Sequence, residues 1–159
     1  MNHAPFTRKA ILVIGMHRSG TSALTRGLEV LGVNLGSRLR SPRIENPKGF
    51  WEDLDFNAIN TDVLQAIGIE WHTPDRVNPT ALDSPALRPI MDRATAFLDQ
   101  KFAANGLIGL KDPRASRILP FWNEVFERSG ITPSYVIACR NPMSVAKSLS
   151  TRDEFPTIK

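Results

Sequence analysis

The chain has 159 residues, 42% of them hydrophobic, and a formal net charge of +4 at pH 7, which is enough for one domain with its own core. Cys139 is the only cysteine, excluding an internal disulfide and fitting a reducing, cytoplasmic compartment; the scatter of His3, His17 and His72 also counts against a structural zinc site. No apolar run approaches the ~20 residues of a membrane span, and Lys and Arg are spread along the chain rather than clustered as in a nucleic-acid binder.

Met1–Lys9 is polar and leads directly into the first strand, so no secretory signal is expected. Ala10–Ile14 is a continuous apolar, β-favouring run, the kind covered on both faces in a parallel sheet. It ends at Gly15, and a helical pattern starts near Thr21. Gly15-Met16-His17-Arg18-Ser19-Gly20-Thr21-Ser22 is therefore a short turn between strand and helix. Glycine lets such a turn curl until successive N–H groups point at one anion. The helix adds its free N–H groups and the positive end of its dipole. The G-x-x-x-x-G spacing is that of a Walker A loop, but Thr21 stands where the lysine belongs, which counts against an ATP-dependent P-loop kinase. Arg18 is the turn's basic group, and a guanidinium can hold two oxygens of a phosphate or sulfate.

From Thr21 to Leu31 the spacing predicts a helix with Leu24, Leu28 and Leu31 inward, Gly27 close to the sheet and Gly32 as the stop. Residues 33–49, with Gly36, Pro42 and Pro47, show no sustained period and read as a long exposed loop, a kind that is commonly functional. Helices follow over Glu52–Ile69, with Ile59, Val63, Ala66 and Ile67 in one stripe, and between Ser84 and Phe102, with Leu87, Met91, Ala94 and Leu98 inward. Ser84-Pro85 and Pro89 compete as the start of the second. Leu107–Leu110 is a second strand ending in Lys111-Asp112-Pro113-Arg114. Helical spacing through Ile118, Trp122, Val125 and Phe126 stops at Ser129-Gly130, and Tyr135–Cys139 is a third strand. Arg140-Asn141-Pro142 reads as a strand end, a cap and a first-turn proline, with Val145, Ala146 and Leu149 inward on the last helix. Strands alternating with helices predict a single α/β domain over residues 1–159, a three-layer parallel sheet flanked by helices.

In an open parallel sheet, ligands sit beyond the carboxyl ends of the strands. Three such ends carry basic or hydroxyl groups: residues 17–22, 111–114 and 140–141. Together they describe a positively lined cleft for a ligand with more than one anionic group. With Asn141 as cap, Ser148 lies along the helix side that Arg140 precedes, so arginine and hydroxyl can grip one phosphate.

These residues carry a resemblance. Gly15–Ser22 resembles the 5′-phosphosulfate loop of sulfotransferases that use 3′-phosphoadenosine 5′-phosphosulfate (PAPS), and Arg140-Asn141-Pro142 with Ser148 resembles their 3′-phosphate motif. Glu45-Asn46-Pro47-Lys48-Gly49-Phe50-Trp51-Glu52 and the strand end Lys111–Arg114 are similar to segments of bacterial members. The resemblance implies a P-loop NTPase-like sulfotransferase fold, PAPS as sulfuryl donor, no metal, and a hydroxyl or amine on a small-molecule, carbohydrate or lipid acceptor. It implies His17, Arg18, Ser19, Gly20, Thr21 and Ser22 around the 5′ end of PAPS, and Arg140 and Ser148 at its 3′-phosphate. Arg18, at the family's usual loop lysine, neutralises charge as the bond breaks. Lys111 shares that work or pairs with a carboxylate. The family's histidine base is replaced by Pro113, so Glu52 becomes the expected general base, with Asp112 and His17 as alternatives. Family domains commonly continue past the 3′-phosphate helix, and this chain reads as short at the C-terminus. A non-catalytic nucleotide-binding remnant of the same fold is therefore the main rival reading.

Overall fold

Ala10, Leu12 and Ile14 alternate with Ile11 and Val13 along the first strand, so both faces of the sheet it founds must be covered. The computed structural model describes residues 7–103 and 105–153; most of the polar N-terminal segment, His3 and the close of the chain at Lys159 lie outside them. β1 (Lys9–Gly15) runs between β2 (Leu107–Lys111) and β3 (Thr132–Ala138), parallel to both. On one face, Ala10 and Leu12 join Ile108 and Leu110 in a core with α2 (Leu54–Ala66), α3 (Arg88–Phe102) and α4 (Leu119–Arg128). Val13 is buried outside that core, on the alternate face. α1 (Thr21–Val30) packs along β1 and β2, and α5 (Pro142–Asp153) follows β3. The chain is thus α/β, with a small parallel sheet flanked by helices. Among the described residues no helix is long and apolar enough to cross a membrane.

Trp122 sits fully buried in the core, its ring 4.5 Å from that of Phe56. Its indole N–H donates to Asn60 Oδ1 at 2.7 Å, and the Asn60 amide donates to Asp112 Oδ2 at 3.0 Å. Buried polar groups satisfied in a row thus tie the core to the carboxyl end of β2.

Several boundaries follow from capping. Asp53 rather than Glu52 caps α2, accepting from the N–H groups of Asp55 and Phe56. Pro85 opens a separate 3₁₀ turn, and α3 starts at Arg88 with Pro89 in its first turn, where a missing N–H removes no helical bond. Asn141 caps α5 as expected, accepting from Met143 and Ser144. β3 begins at Thr132, earlier than Tyr135. Pro133 is tolerated there because β3 is an edge strand among those described.

Three expectations are corrected. α1 buries Thr21 and Thr25, while Leu24 is 41% and Leu31 81% exposed. The Thr25 hydroxyl donates to the Thr21 carbonyl at 2.8 Å, so a threonine stripe is buried without an orphaned donor. Gly27 has open space beside it, although Gly32 (φ +87°) does close the helix, its N–H bonded to Glu29 and that of Val33 to Leu28. On α5, Val145 is buried but Ala146 is exposed, one residue being about 100° of rotation on a helix. Finally, residues 33–49 are not simply exposed loop. Val33 and Leu35 are buried, and the Asn34 carbonyl accepts from the Gly109 N–H at 2.8 Å, extending the sheet beside β2.

A Cβ on Gly109 would lie 2.6 Å from Leu35 Cδ2 and 3.0 Å from Val33 Cγ1, both side chains being buried. Gly109→Ala is expected to cost about 1–3 kcal/mol by overpacking, read as a lower urea midpoint. An unchanged midpoint would show that residues 33–35 do not pack on β2.

Candidate functional site

The turn after β1 has the backbone of an anion cradle. Gly15 (φ +143°) runs so close to β3 that a Cβ there would meet the Ala138 carbonyl oxygen at 2.7 Å. Arg18 adopts φ 66° and Gly20 φ 104°, and the Ser19 N–H closes the turn on the Met16 carbonyl at 3.1 Å. α1 then begins with no side-chain cap; the Ala23 N–H turns back to the Gly20 carbonyl at 3.0 Å, and the dipole at this end favours an anion.

A cavity of about 1020 Å³ opens over this turn. Of the residues singled out from the sequence, His17, Arg18, Gly20, Thr21, Ser22, Glu52, Lys111 and Arg140 line it. Ser148 lines a neighbouring hollow of about 630 Å³, which Arg18 and Arg140 share. The two motifs touch: Arg18 Nε donates to Ser148 Oγ at 2.9 Å, and an Arg140 Nη donates to the Arg18 carbonyl at 3.0 Å. Ser19 lines neither cavity; its hydroxyl is buried without a partner.

Lys111 enters the cradle from β2. Its Nζ donates to Glu52 Oε1 at 2.7 Å, to the Phe50 carbonyl at 3.0 Å and to Ser22 Oγ at 3.3 Å. The side chains of this pair are only 2% and 5% exposed. Glu52 Oε2 accepts from Asn57 at 3.1 Å and from Arg40 at 3.3 Å, and the Arg40 guanidinium lies 4.5 Å above the Phe50 ring. Residues 45–50 cover the cradle from above. The Asn46 amide donates to the Gly49 carbonyl, and Arg18 donates to the Glu45 carbonyl at 3.1 Å. Sequence reasoning missed Arg40 and Asn57. Asn57 stands in the first turn of α2, whereas nothing in the spacing marks Arg40.

The two alternative bases are differently placed. Asp112 is fully buried and does not line the cavity. Its Oδ1 accepts from the Arg114 backbone and Nε at 3.0 Å, and its Oδ2 from Asn60. Burial pushes its carboxyl up from the usual range, against the pull of the Arg114 guanidinium. It positions the turn rather than facing an acceptor. The His17 ring lies 4.9 Å from Trp71, with a buried, unpartnered Nε2. Burial, and secondarily the charge of Arg152, lower its pKa to about 4. A neutral ring with that nitrogen sealed off serves as cavity wall. Among the described residues no group of three or more His, Cys, Asp or Glu side chains is set to hold a metal.

Because the folded pKa of His17 lies below its ordinary 6.5, the unfolded chain binds the proton first. Native stability therefore falls as pH drops from about 6.5 towards 4, by about 2–3 kcal/mol from this group. His17→Phe, which keeps a ring against Trp71, is expected to flatten that fall in urea unfolding at pH 7 and 4.5. Equal pH dependence in both proteins would contradict it.

No protein-family model, curated protein or solved structure matches the chain, so what the cavity holds must be argued from its residues.

Proposed function

We propose that the chain binds PAPS and transfers its sulfuryl group to a hydroxyl or amine acceptor. The observation that carries this reading is the junction of Arg18 with Ser148 and Arg140. Two anion grips, one after β1 and one after β3, form adjoining hollows, and a nucleotide with anionic groups at both its 3′ and 5′ positions engages both. A nucleotide with a single phosphate chain leaves the second grip idle, which disfavours a kinase.

The residues present fit such a ligand. On this reading the uncapped N-terminus of α1, the Ser22 hydroxyl and Arg18 take the 5′ end, and Arg140 with Ser148 the 3′-phosphate. About four charge-assisted bonds at roughly 1.5–3 kcal/mol each match the ~8 kcal/mol of a micromolar ligand before binding costs. PAPS, when bound, supplies the sulfuryl group. Arg18 and Lys111 hold positive charge beside the position where negative charge develops. Glu52, fixed by Lys111, Arg40 and Asn57, takes the acceptor proton on a carboxylate oxygen. The same three donors favour a second reading, a non-catalytic binding remnant, in which Glu52 only holds Lys111.

In calorimetry, adenosine 3′,5′-bisphosphate is expected to bind at least about tenfold tighter than ADP, or ~1.4 kcal/mol. Arg140→Ala should abolish that preference. Tighter ADP binding, insensitive to Arg140→Ala, rejects the proposal.

For turnover from PAPS, Arg18→Ala and Glu52→Gln should each lose on the order of 10²–10⁴ in rate. Unchanged turnover in Glu52→Gln removes it as the base, and a parent chain that binds bisphosphate but transfers nothing is the remnant.

A further inference from the structure

One indole stands against both halves of the site. The Trp71 ring lies 4.9 Å from that of His17, in the turn after β1, and the Arg152 guanidinium of α5 lies 5.5 Å from it. Trp71 and Arg152 both line the cavity over the cradle. Arg152 also lines the neighbouring hollow together with Ser148, one helical turn before it on α5.

No regular element carries Trp71 to this place. α2 closes at Ile67-Gly68, with Gly68 at φ 71°, and residues 69–78 form neither helix nor strand. Ile69, Trp71 and Val77 rest against the core, but the carbonyls of such a segment need donors from elsewhere. Arg117 brings them. Its Nη1 donates to the Glu70 carbonyl at 2.8 Å and, at 3.4 Å, to that of Trp71; its Nη2 donates to the Asp75 carbonyl at 2.5 Å. A planar guanidinium with donors on separate nitrogens spans carbonyls on either side of Trp71, which the compact ammonium of lysine does not.

The clamp has a firm base. Arg117 ends the 3₁₀ turn Pro113–Arg117, which Asp112 caps, and its neighbour Ser116 accepts from the Gly15 N–H at 2.9 Å. Arg117 itself lines neither hollow, so whatever it does to a ligand passes through residues 70–75.

We infer that Arg117 is a positioning residue: its fork clamps residues 70–75, sets Trp71 against His17 and Arg152, and so fixes how the two anion grips stand to each other. The consequence for the ligand rests on the PAPS reading; the consequence for His17 does not.

The two consequences have separate readouts. The pKa of His17 is lowered to about 4, first by burial and then by Arg152, with Glu52 opposing and Arg114 and Lys111 adding to the fall. Once Trp71 is released, the ring gains water and Arg152 loses its seat beside it; both changes raise the pKa towards 6.5. Arg117→Lys keeps the charge and loses the fork. It is expected to move the His17 titration up by at least about half a unit, as is Arg117→Ala, in proton NMR where the signal absent from His17→Phe identifies the ring. In calorimetry both variants should cut the preference for adenosine 3′,5′-bisphosphate over ADP several-fold, because only a ligand that engages both grips senses their spacing. A purely structural Arg117 would lower the urea midpoint and leave both readouts in place. A His17 titration unmoved in both variants, full rescue by lysine, or an unchanged preference beside a shifted titration overturns the inference. A parent chain with no preference for the bisphosphate overturns the donor reading instead, and the His17 titration then decides the clamp alone.

Discussion

The Lys111–Glu52 ion pair holds the site together. Both charges are almost wholly out of water, and removing one partner of such a pair typically costs about 3–5 kcal/mol because the other is left buried and uncompensated. The pair therefore fixes more than itself. Lys111 ends β2, Glu52 precedes the Asp53 cap of α2, and the lysine's remaining donors go to the Phe50 carbonyl and the Ser22 hydroxyl of α1. Three segments far apart in sequence meet on one ammonium group. Its position also answers a question raised by the loop. The turn after β1 has threonine where a Walker loop has lysine, and here a lysine reaches the loop from the neighbouring strand instead.

Behind the site, the path from Trp122 through Asn60 to Asp112 carries the rigidity of the core to the turn that presents Arg114. Such a row of buried polar groups is favourable only when every member is satisfied, and the donors and acceptors along this one pair off. The cavity floor thus rests on packed aromatic rings rather than on loop alone.

What could be read from the residues was whatever depends on near neighbours. An apolar run ending in glycine, a glycine-bounded turn, and an asparagine before a proline each fix their own geometry, so β1, the cradle and the cap of α5 lay open in the chain order. The inward face of α1 did not. Leucine outweighs threonine in any hydrophobic count, yet Thr25 satisfies its hydroxyl within the helix and faces inward while Leu24 does not. Glu52 and Asp53 are adjacent carboxylates of similar chemistry. Only the three-dimensional contacts show that one caps a helix and the other meets a lysine. Val33 and Leu35 form too short an alternation to register as a strand, and Arg40 reaches Glu52 through a fold that no local period encodes.

Arg18 and Trp51 share a feature with a consequence of its own. Both hold a left-handed backbone angle that glycine would adopt freely, at a cost of roughly 1–2 kcal/mol for a side-chain-bearing residue. Selection of variants for heat tolerance alone would be drawn to these two positions early, trading each side chain for a relaxed main chain. The hardier protein so obtained would lack the guanidinium between the two hollows and the indole beneath Arg26, so at these positions toughness and the make-up of the cavity wall pull in opposite directions.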